Sequence, residues 1–372
     1  MDFRSFVKKT DRYKLIGLGT GIGSYRKKSN YSEKLFKNYI DICKNFDVKF
    51  IDTSPVYGNG KSEKYIGKFL KSSRKNFFIA TKIMPEMCWK NKVRVSVINS
   101  LKRLKTNYID LLQIHWPNEM IPFEETINEM IKLKKEGLIK NIGLCNFSYE
   151  QLKGIYNQFG PNTISSIQIE YNLFERSAEK KLIPFCINRN ILIIAYSPLA
   201  QGKIANGTKQ LKLIDQLAKK YNCTSSQIVL SWISSKKKII AIPNSSSEKN
   251  LINNFQSKKL KIIKEDLRRI DKVCMTKVKY INTRKIKVSS NYGRKVYKTL
   301  TEALKNKMKL TPSPLELSKE IKKGNFLKPV RLKKIIRNNR LSYDLIEGRL
   351  RYWSWVIAFG WKKDIPSLVW EN

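Results

Sequence analysis

Histidine is almost missing: 372 residues contain one, His115. Acidic residues are scarce as well, 30 against 74 lysines and arginines, for a formal net charge of +44. No run of about 18 apolar residues occurs, which speaks against a membrane-spanning helix. The opening residues, Met1-Asp-Phe-Arg-Ser, lack the hydrophobic segment of a signal peptide. Six cysteines (Cys43, Cys88, Cys145, Cys186, Cys223 and Cys274) show no paired spacing, which fits neither a zinc site nor a disulfide framework and suits a reducing cytosol. These absences lead us to expect a soluble cytoplasmic protein with no membrane contact and no bound metal.

The positive excess has two readings. One is neutralisation of nucleic-acid phosphates; the other is a lysine-rich, solvated surface. Lysines are spread along every expected helix rather than gathered in a block, which favours the surface reading. Salt-sensitive association with polyanions is a physical expectation on either.

What is present is a rhythm. Through residue 275 or so, short apolar runs at 15–19, 48–52, 77–82, 109–115, 139–145, 164–171, 191–196 and 239–243 alternate with amphipathic segments. Those segments, at 32–45, 62–72, 92–104, 123–136, 148–158, 178–188 and 209–221, have helical spacing, with an extra helix at 225–235 and a closing one from 248. Strands that are apolar throughout are buried on both faces, as in a parallel sheet covered by helices. Eight such units indicate an α/β fold, a (β/α)8 TIM barrel with its active site at the C-terminal strand ends. A doubly wound sheet is the alternative, with Gly17-Leu-Gly-Thr-Gly-Ile-Gly23 as a weak phosphate-loop candidate.

Three successive strands end in reactive side chains. The second delivers Asp52, with Tyr57 five residues on; the third delivers Lys82; the fourth ends in His115 before Pro117. An ordinary tyrosine, with a pKa near 10, holds its proton too tightly to respond well at neutral pH. An adjacent ammonium lowers that value, and a buried carboxylate keeps the ammonium charged. His115 can then hydrogen-bond a substrate oxygen and stabilise its charge. Asp52 and Lys82 alone would read as a salt bridge tying two strands. Beside Tyr57 and the sole histidine they read as a carbonyl-reducing site.

Residues from about 12 to 272 resemble the aldo-keto reductase family. The carriers are Asp52-Thr-Ser-Pro-Val-Tyr57-Gly with Ser62-Glu63 and Gly67, Ala80-Thr-Lys82, and Ile109-Asp-Leu-Leu-Gln-Ile-His115. Ile142-Gly-Leu-Cys-Asn-Phe147, Gln168-Ile-Glu-Tyr-Asn172, Ala195-Tyr-Ser-Pro-Leu-Ala-Gln-Gly202 and Ile242-Pro-Asn-Ser245 follow in family order. The resemblance implies a barrel that uses NADPH or NADH to reduce a small carbonyl substrate, such as a sugar, aldehyde or ketone. Tyr57 would be the proton donor, Lys82 and Asp52 its tuning pair, and His115 the substrate orienter. Asn146 and Gln168, with Cys145, would hold the nicotinamide carboxamide, and Tyr196 would stack on the ring. Ser197, Leu199 and Gln201 would line the pyrophosphate path, with Gly19, Thr20, Ile242, Asn244, Ser245, Asn250 and Asn254 completing the cofactor site. Trp116 and Tyr25 would wall the pocket or serve as ordinary packing.

Two departures matter. The family often has serine where Cys145 stands, and thiols are weaker hydrogen-bond partners. NADPH-preferring members often carry lysine and arginine where this chain has Asn244 and Asn250. Losing both cations weakens a 2′-phosphate contact and makes NADH a tolerated cofactor.

After Thr276 the rhythm changes, and a second domain over 281–372 is expected beside the barrel at 1–280. Residues 277–297 suggest a β-hairpin turning at 290–293, 300–307 and 315–323 suggest helices, and 327–336 an extended run. An aromatic helix then leads to Gly360. Leu317-Ser-Lys-Glu-Ile-Lys-Lys-Gly324, Leu327-Lys-Pro-Val330 and Tyr343-Asp-Leu-Ile-Glu-Gly-Arg-Leu-Arg-Tyr352 resemble the ParB/sulfiredoxin-like fold, a small α+β domain. That resemblance implies phosphate binding at Gly348, Arg349 and Arg351, and so a nucleotide or DNA partner. The family commonly has an acidic residue after that glycine, whereas Glu347 precedes it here, which argues against hydrolysis. A nucleic-acid- or nucleotide-binding protein acting through this tail, with a silent barrel, is the competing functional reading.

Overall fold

The structure, a computed structural model, describes residues 15–22, 31–118, 120–204, 211–273, 279–288, 297–308, 313–323, 329–337 and 340–370. The chain divides into two compact units, the larger holding most residues up to 275 and the smaller those from 276 onward.

In the larger unit, β1 (Leu18–Gly19), β2 (Phe50–Asp52), β3 (Phe78–Ile83), β4 (Ile109–Ile114), β5 (Ile139–Cys145), β6 (Ile164–Glu170), β7 (Leu192–Tyr196) and β8 (Ile239–Ala241) form one sheet in chain order. All neighbours are parallel. The circle closes where Ile16 bridges Ala241, with Gly17 N donating to Ala241 O at 2.8 Å. All eight apolar runs thus become strands of a (β/α)8 barrel. They are buried on both sides because helices cover the outside and side chains fill the inside.

The covering helices are α1 (Glu33–Asn45), α2 (Lys61–Leu70), α3 (Lys90–Leu104), α4 (Phe123–Lys135), α5 (Tyr149–Phe159), α6 (Leu182–Asn188), α7 (Lys212–Lys220), α8 (Ser225–Ser234), α9 (Glu248–Gln256) and α10 (Lys264–Val273). Local chemistry sets their starts. Ser148 with Gln151, and Thr224 with Gln227, form reciprocal capping boxes at α5 and α8. Gly67 sets how closely α2 approaches α3, since a Cβ there would lie 2.4 Å from the Leu104 carbonyl carbon.

Side-chain alternation then sorts the barrel interior into layers. Phe50, Phe78, Leu111, Leu192 and Ile240 belong to one apolar cluster. Two residues further along their strands, the same inward face carries Asp52, Ala80, Gln113 and Ile194. Two more reach Lys82, His115 and Tyr196. The polar residues collect at the C-terminal strand ends.

The smaller unit has a five-stranded sheet in the order β10 (Ile286–Lys287), β12 (Arg340–Glu347), β11 (Val330–Arg337), β13 (Asp364–Trp370), β9 (Lys279–Asn282). β9 and β10, which fall in the first part of the hairpin expected over 277–297, do not pair with each other. β9 pairs antiparallel with β13 and β10 pairs parallel with β12, at opposite edges of the sheet. A single 3-10 turn, Thr283–Lys285, separates them in sequence, and residues 290–293 lie outside the described residues. Among the described residues three helices accompany the sheet: α11 (Leu300–Leu304), α12 (Pro314–Lys322) and α13 (Arg349–Phe359). Tyr352, Trp353 and Val356 of α13 enter its core with Tyr297, Leu332, Leu345 and Ile365. Among the described residues no helix is long and apolar enough to cross a membrane.

Candidate active site

β2, β3 and β4 bring Asp52, Lys82 and His115 to one end of the barrel, and the turn after β2 folds Tyr57 back over them through a Tyr57 N to Ser54 O bond of 3.1 Å. Lys82 is fully buried and donates to Asp52 Oδ2 at 2.6 Å, Thr53 O at 2.9 Å and the Tyr57 hydroxyl at 3.3 Å. The Tyr57 ring meets the His115 ring edge-on, with centroids 6.0 Å apart. His115 Nδ1 lies 3.3 Å from both Ser54 Oγ and Met84 Sδ, and Nε2 has no protein partner among the described residues. The four groups form one continuous cluster of contacts.

Their electrostatics differ from the simple expectation in one respect. Burial, the largest influence on Tyr57, raises its pKa above the ordinary tyrosine value, and the Lys82 ammonium only partly opposes it. The sequence suggested a net lowering; desolvation of the phenolate outweighs the ammonium. Lys82 shows the reverse balance. Burial would lower its pKa, but the Asp52 carboxylate and Tyr57 raise it on balance, so the ammonium persists. Burial, reinforced by Lys82, holds His115 well below the usual histidine value. At neutral pH the site contains a neutral imidazole, a protonated phenol and a buried ion pair.

Sequence reasoning missed what steadies the carboxylate. Asp52 Oδ1 accepts from Gln168 Nε2 at 2.7 Å and from Gln113 Nε2 at 3.2 Å. The available signal was Gln113, on the inward face of the run 109–115 two residues before His115. A hydroxyl cluster backs the same turn: Ser62 Oγ lies 2.8 Å from Thr20 Oγ1 and 2.7 Å from Thr53 Oγ1.

The expected cofactor residues fall into three groups. At the ring end, Asn146 Nδ2 donates to His115 O at 3.0 Å, its Oδ1 accepts from the Tyr196 hydroxyl at 2.8 Å, and Cys145 Sγ lies 3.5 Å from Gln168 Oε1. Asn146 Nδ2 also donates to Cys145 Sγ at 3.1 Å, which uses both of its N–H groups and leaves it acceptor capacity at Oδ1, whereas the Gln168 carboxamide retains one N–H and acceptor capacity. Beyond β7, the loop carrying Ser197, Leu199 and Gln201 holds Ser197, Ala200 and Gln201 at positive φ, a strained conformation typical of ligand-binding turns. At the far end, Asn244 Oδ1 accepts from the Tyr39 hydroxyl at 2.8 Å while its buried Nδ2 has no partner. Ser245, Asn250 and Asn254 lie nearby in sequence on the loop after β8 and on α9, where Ser245 Oγ accepts from Ser247 N and Asn250 N donates to Ser247 Oγ. Gly19 packs against Ile242, whose carbonyl oxygen a Cβ would approach to 2.9 Å.

Thr20 is the exception. Its amide and hydroxyl both donate to Asp52 O, at 3.0 and 2.8 Å, so it fastens β1 to β2 rather than facing a ligand. Trp116 is 40% exposed and stacks on His115 at 6.4 Å, a position suited to a pocket wall. Tyr25 lies outside the described residues. In the smaller unit, Arg349 Nη1 donates to Ile346 O at 3.1 Å and Arg351 Nη1 to Pro329 O at 2.9 Å, beside Gly348 at a φ of 96°.

Comparisons with known proteins converge on the barrel. Residues 15–274 match the aldo/keto reductase family. The chain is 31% identical to the methylglyoxal reductase YeaE of Escherichia coli, over 60% of this chain and 79% of that protein. It is 35% identical to the aldo-keto reductase YhdN of Bacillus subtilis, over 54% of this chain and 63% of that one. An aldo/keto reductase from Klebsiella pneumoniae, solved with NADP and acetate, superimposes with a TM-score of 0.64 at 27% identity, covering 70% of this chain and 91% of that one. The family match ends at residue 274 and leaves the ParB/sulfiredoxin-like resemblance of the tail resting on its residues alone.

Proposed function

This chain belongs to the aldo/keto reductase family, and we propose that it reduces a small aldehyde or ketone to an alcohol through Tyr57, Lys82, Asp52 and His115. It is an NAD(P)H-dependent enzyme, and the bound NADPH or NADH supplies the hydride. The observation that carries the residue assignment is the chain of contacts Asp52–Lys82–Tyr57, ending beside His115.

The phenol keeps its proton at neutral pH because burial disfavours the phenolate. That proton is released only when a stronger base, the oxygen of a carbonyl being reduced, develops beside it. Lys82 stabilises the phenolate left behind, 3.3 Å away, and Asp52 keeps Lys82 charged and immobile. Gln113 and Gln168 fix the carboxylate, so little reorganises as the proton moves. A neutral His115 offers Nε2 to the same carbonyl oxygen, which orients it without competing as an acid.

The residues also suit a dinucleotide. The unpartnered Nδ2 of Asn244 is a buried donor lacking an acceptor, as expected where a ligand ribose or phosphate completes the bond. Asn146, Gln168 and Tyr196 would hold the nicotinamide end, with Ser197, Leu199 and Gln201 along the pyrophosphate. Relatives named methylglyoxal reductases make a short dicarbonyl the first substrate to try. The described cysteines are all free thiols, in keeping with a cytoplasmic setting. For the smaller unit, the geometry supports a fold-holding role for Arg349 and Arg351, each bonded to a backbone carbonyl, better than nucleotide binding. Oxidation of NADPH and NADH against a panel of methylglyoxal, simple aldehydes, ketones and aldoses tests the reductase reading. Turnover of at least one carbonyl is expected; a panel with no turnover by protein that binds the cofactor would overturn it.

A further inference from the structure

A second feature lies at the opposite end of the barrel. Where β3 and β4 begin, a groove of about 750 Å³ is lined by Lys71, Arg74, Lys75, Lys102, Lys105 and Tyr108, among others, with no aspartate or glutamate in its described lining. Its lips come from separate elements: the 3-10 turn Lys71–Asn76 on one side, the end of α3 with its Lys105 cap on the other. Lys71, Lys75, Lys102 and Lys105 are exposed, and none forms an ion pair among the described residues. Lys102 also meets the carbonyl end of α3, where a cation is favourable. Lys71 likewise caps the C-terminal end of α2, and Lys75 lies in the last turn of the 3-10 helix, so both lips carry lysines at helix carbonyl ends.

Arg74 is held differently. Its Nη2 lies 2.6 Å from Asp110 Oδ2, and its guanidinium covers the Tyr108 ring at 4.2 Å, with Lys140 at 5.4 Å from the same ring. Asp110 is therefore engaged with Arg74 and with Ile79 N, and no carboxylate among the described residues pairs with the four lysines. Cations from two lips around an open trough match a repeating line of anions better than one small ion, which the trough would not enclose. A flat lipid surface would meet the lips and leave the trough unfilled. Ser72, Thr106 and Asn107 add neutral polar groups of the kind that contact phosphate and sugar. Because a cation already covers the Tyr108 ring, base stacking there is disfavoured.

We propose that this groove binds a nucleic-acid strand through its phosphates, without reading bases. It lies one strand length, roughly 20 Å, from the reductase site, and the two activities are independent.

The test uses full-length protein and fluorescently labelled single-stranded DNA and RNA of several sequences, with binding followed by anisotropy across a salt series. Two variants of equal charge are compared: K71Q/K75Q/K102Q/K105Q in the groove, and K134Q/K153Q/K212Q/K219Q at exposed positions on other helices. The groove variant is expected to lose about tenfold or more in affinity, and its log K against log salt slope to shrink by about 3, at ~0.7 per neutralised phosphate. The reference variant changes little, all sequences bind alike, and carbonyl reduction is retained in both. A milder variant, K71Q/K75Q, is expected to give about half the slope change. Equal losses in the two quadruple variants would show that net charge alone attracts the strand, and would overturn the proposal. So would the absence of binding by wild type at about 0.1 M salt, or anionic vesicles being the tighter ligand of the groove.

Discussion

Lys82 Nζ lies 2.6 Å from Asp52 Oδ2, with both side chains closed to solvent. A buried ion pair is costly to assemble, and breaking it by removing one partner strands the other charge. Asp52→Ala is expected to destabilise the fold by about 3–5 kcal/mol, read as a lower urea midpoint at unchanged m-value. A midpoint equal to wild type would mean that the pair is hydrated and not the rigid element proposed.

The single imidazole makes His115 directly observable. Its folded pKa is depressed, mainly by burial, so the unfolded chain takes up a proton near the ordinary value of 6.5 that the native chain refuses. Stability should therefore fall as pH drops below that value, by up to about 1.4 kcal/mol per pH unit, and be indifferent to this group above it. The difference in unfolding free energy between wild type and His115→Gln, measured from pH 7.5 to 5, checks the sign. The one histidine NMR signal should stay in its neutral form over that range, and a midpoint near 6.5 would contradict the burial argument.

Two helical glycines should respond oppositely to alanine. At Gly67 a Cβ would press into the Leu104 backbone at 2.4 Å, so Gly67→Ala should cost about 1–3 kcal/mol as α2 is pushed from α3. At Gly154, within α5, nothing lies within 4 Å of an added Cβ, and Gly154→Ala should stabilise by about 0.5–1 kcal/mol. Thermal melts of both decide it.

Cofactor preference should reflect Asn244. Tyr39 holds its carboxamide so that a neutral donor, not a cation, is presented. Dissociation constants for NADH and NADPH are expected to fall within about tenfold of each other, and Asn244→Lys to favour NADPH by roughly tenfold through a charge-assisted contact. A hundredfold wild-type preference for NADPH would be incompatible with this reading.

Much of the barrel was legible in sequence because burial on both faces leaves a largely apolar composition, as at 77–82 and 191–196. Asp52, Lys82 and His115 stood out because each closes such a run. Partners distant in sequence were harder. Gln168 reaches Asp52 across 116 positions, and no local pattern announces that bond. The direction of the Tyr57 shift depends on how much water packing removes, which composition does not encode. The segment 277–297 shows the same limit. Alternation in 277–297 marks strands, but β9 and β10 find partners in β13 and β12, more than fifty residues away.

The most direct test of proton delivery by Tyr57 is one variant measured two ways. In Tyr57→Phe, quenching of protein fluorescence by reduced cofactor should match wild type, while carbonyl-dependent cofactor oxidation should fall by at least about 10²-fold. Turnover near the wild-type rate with binding intact would contradict the assignment.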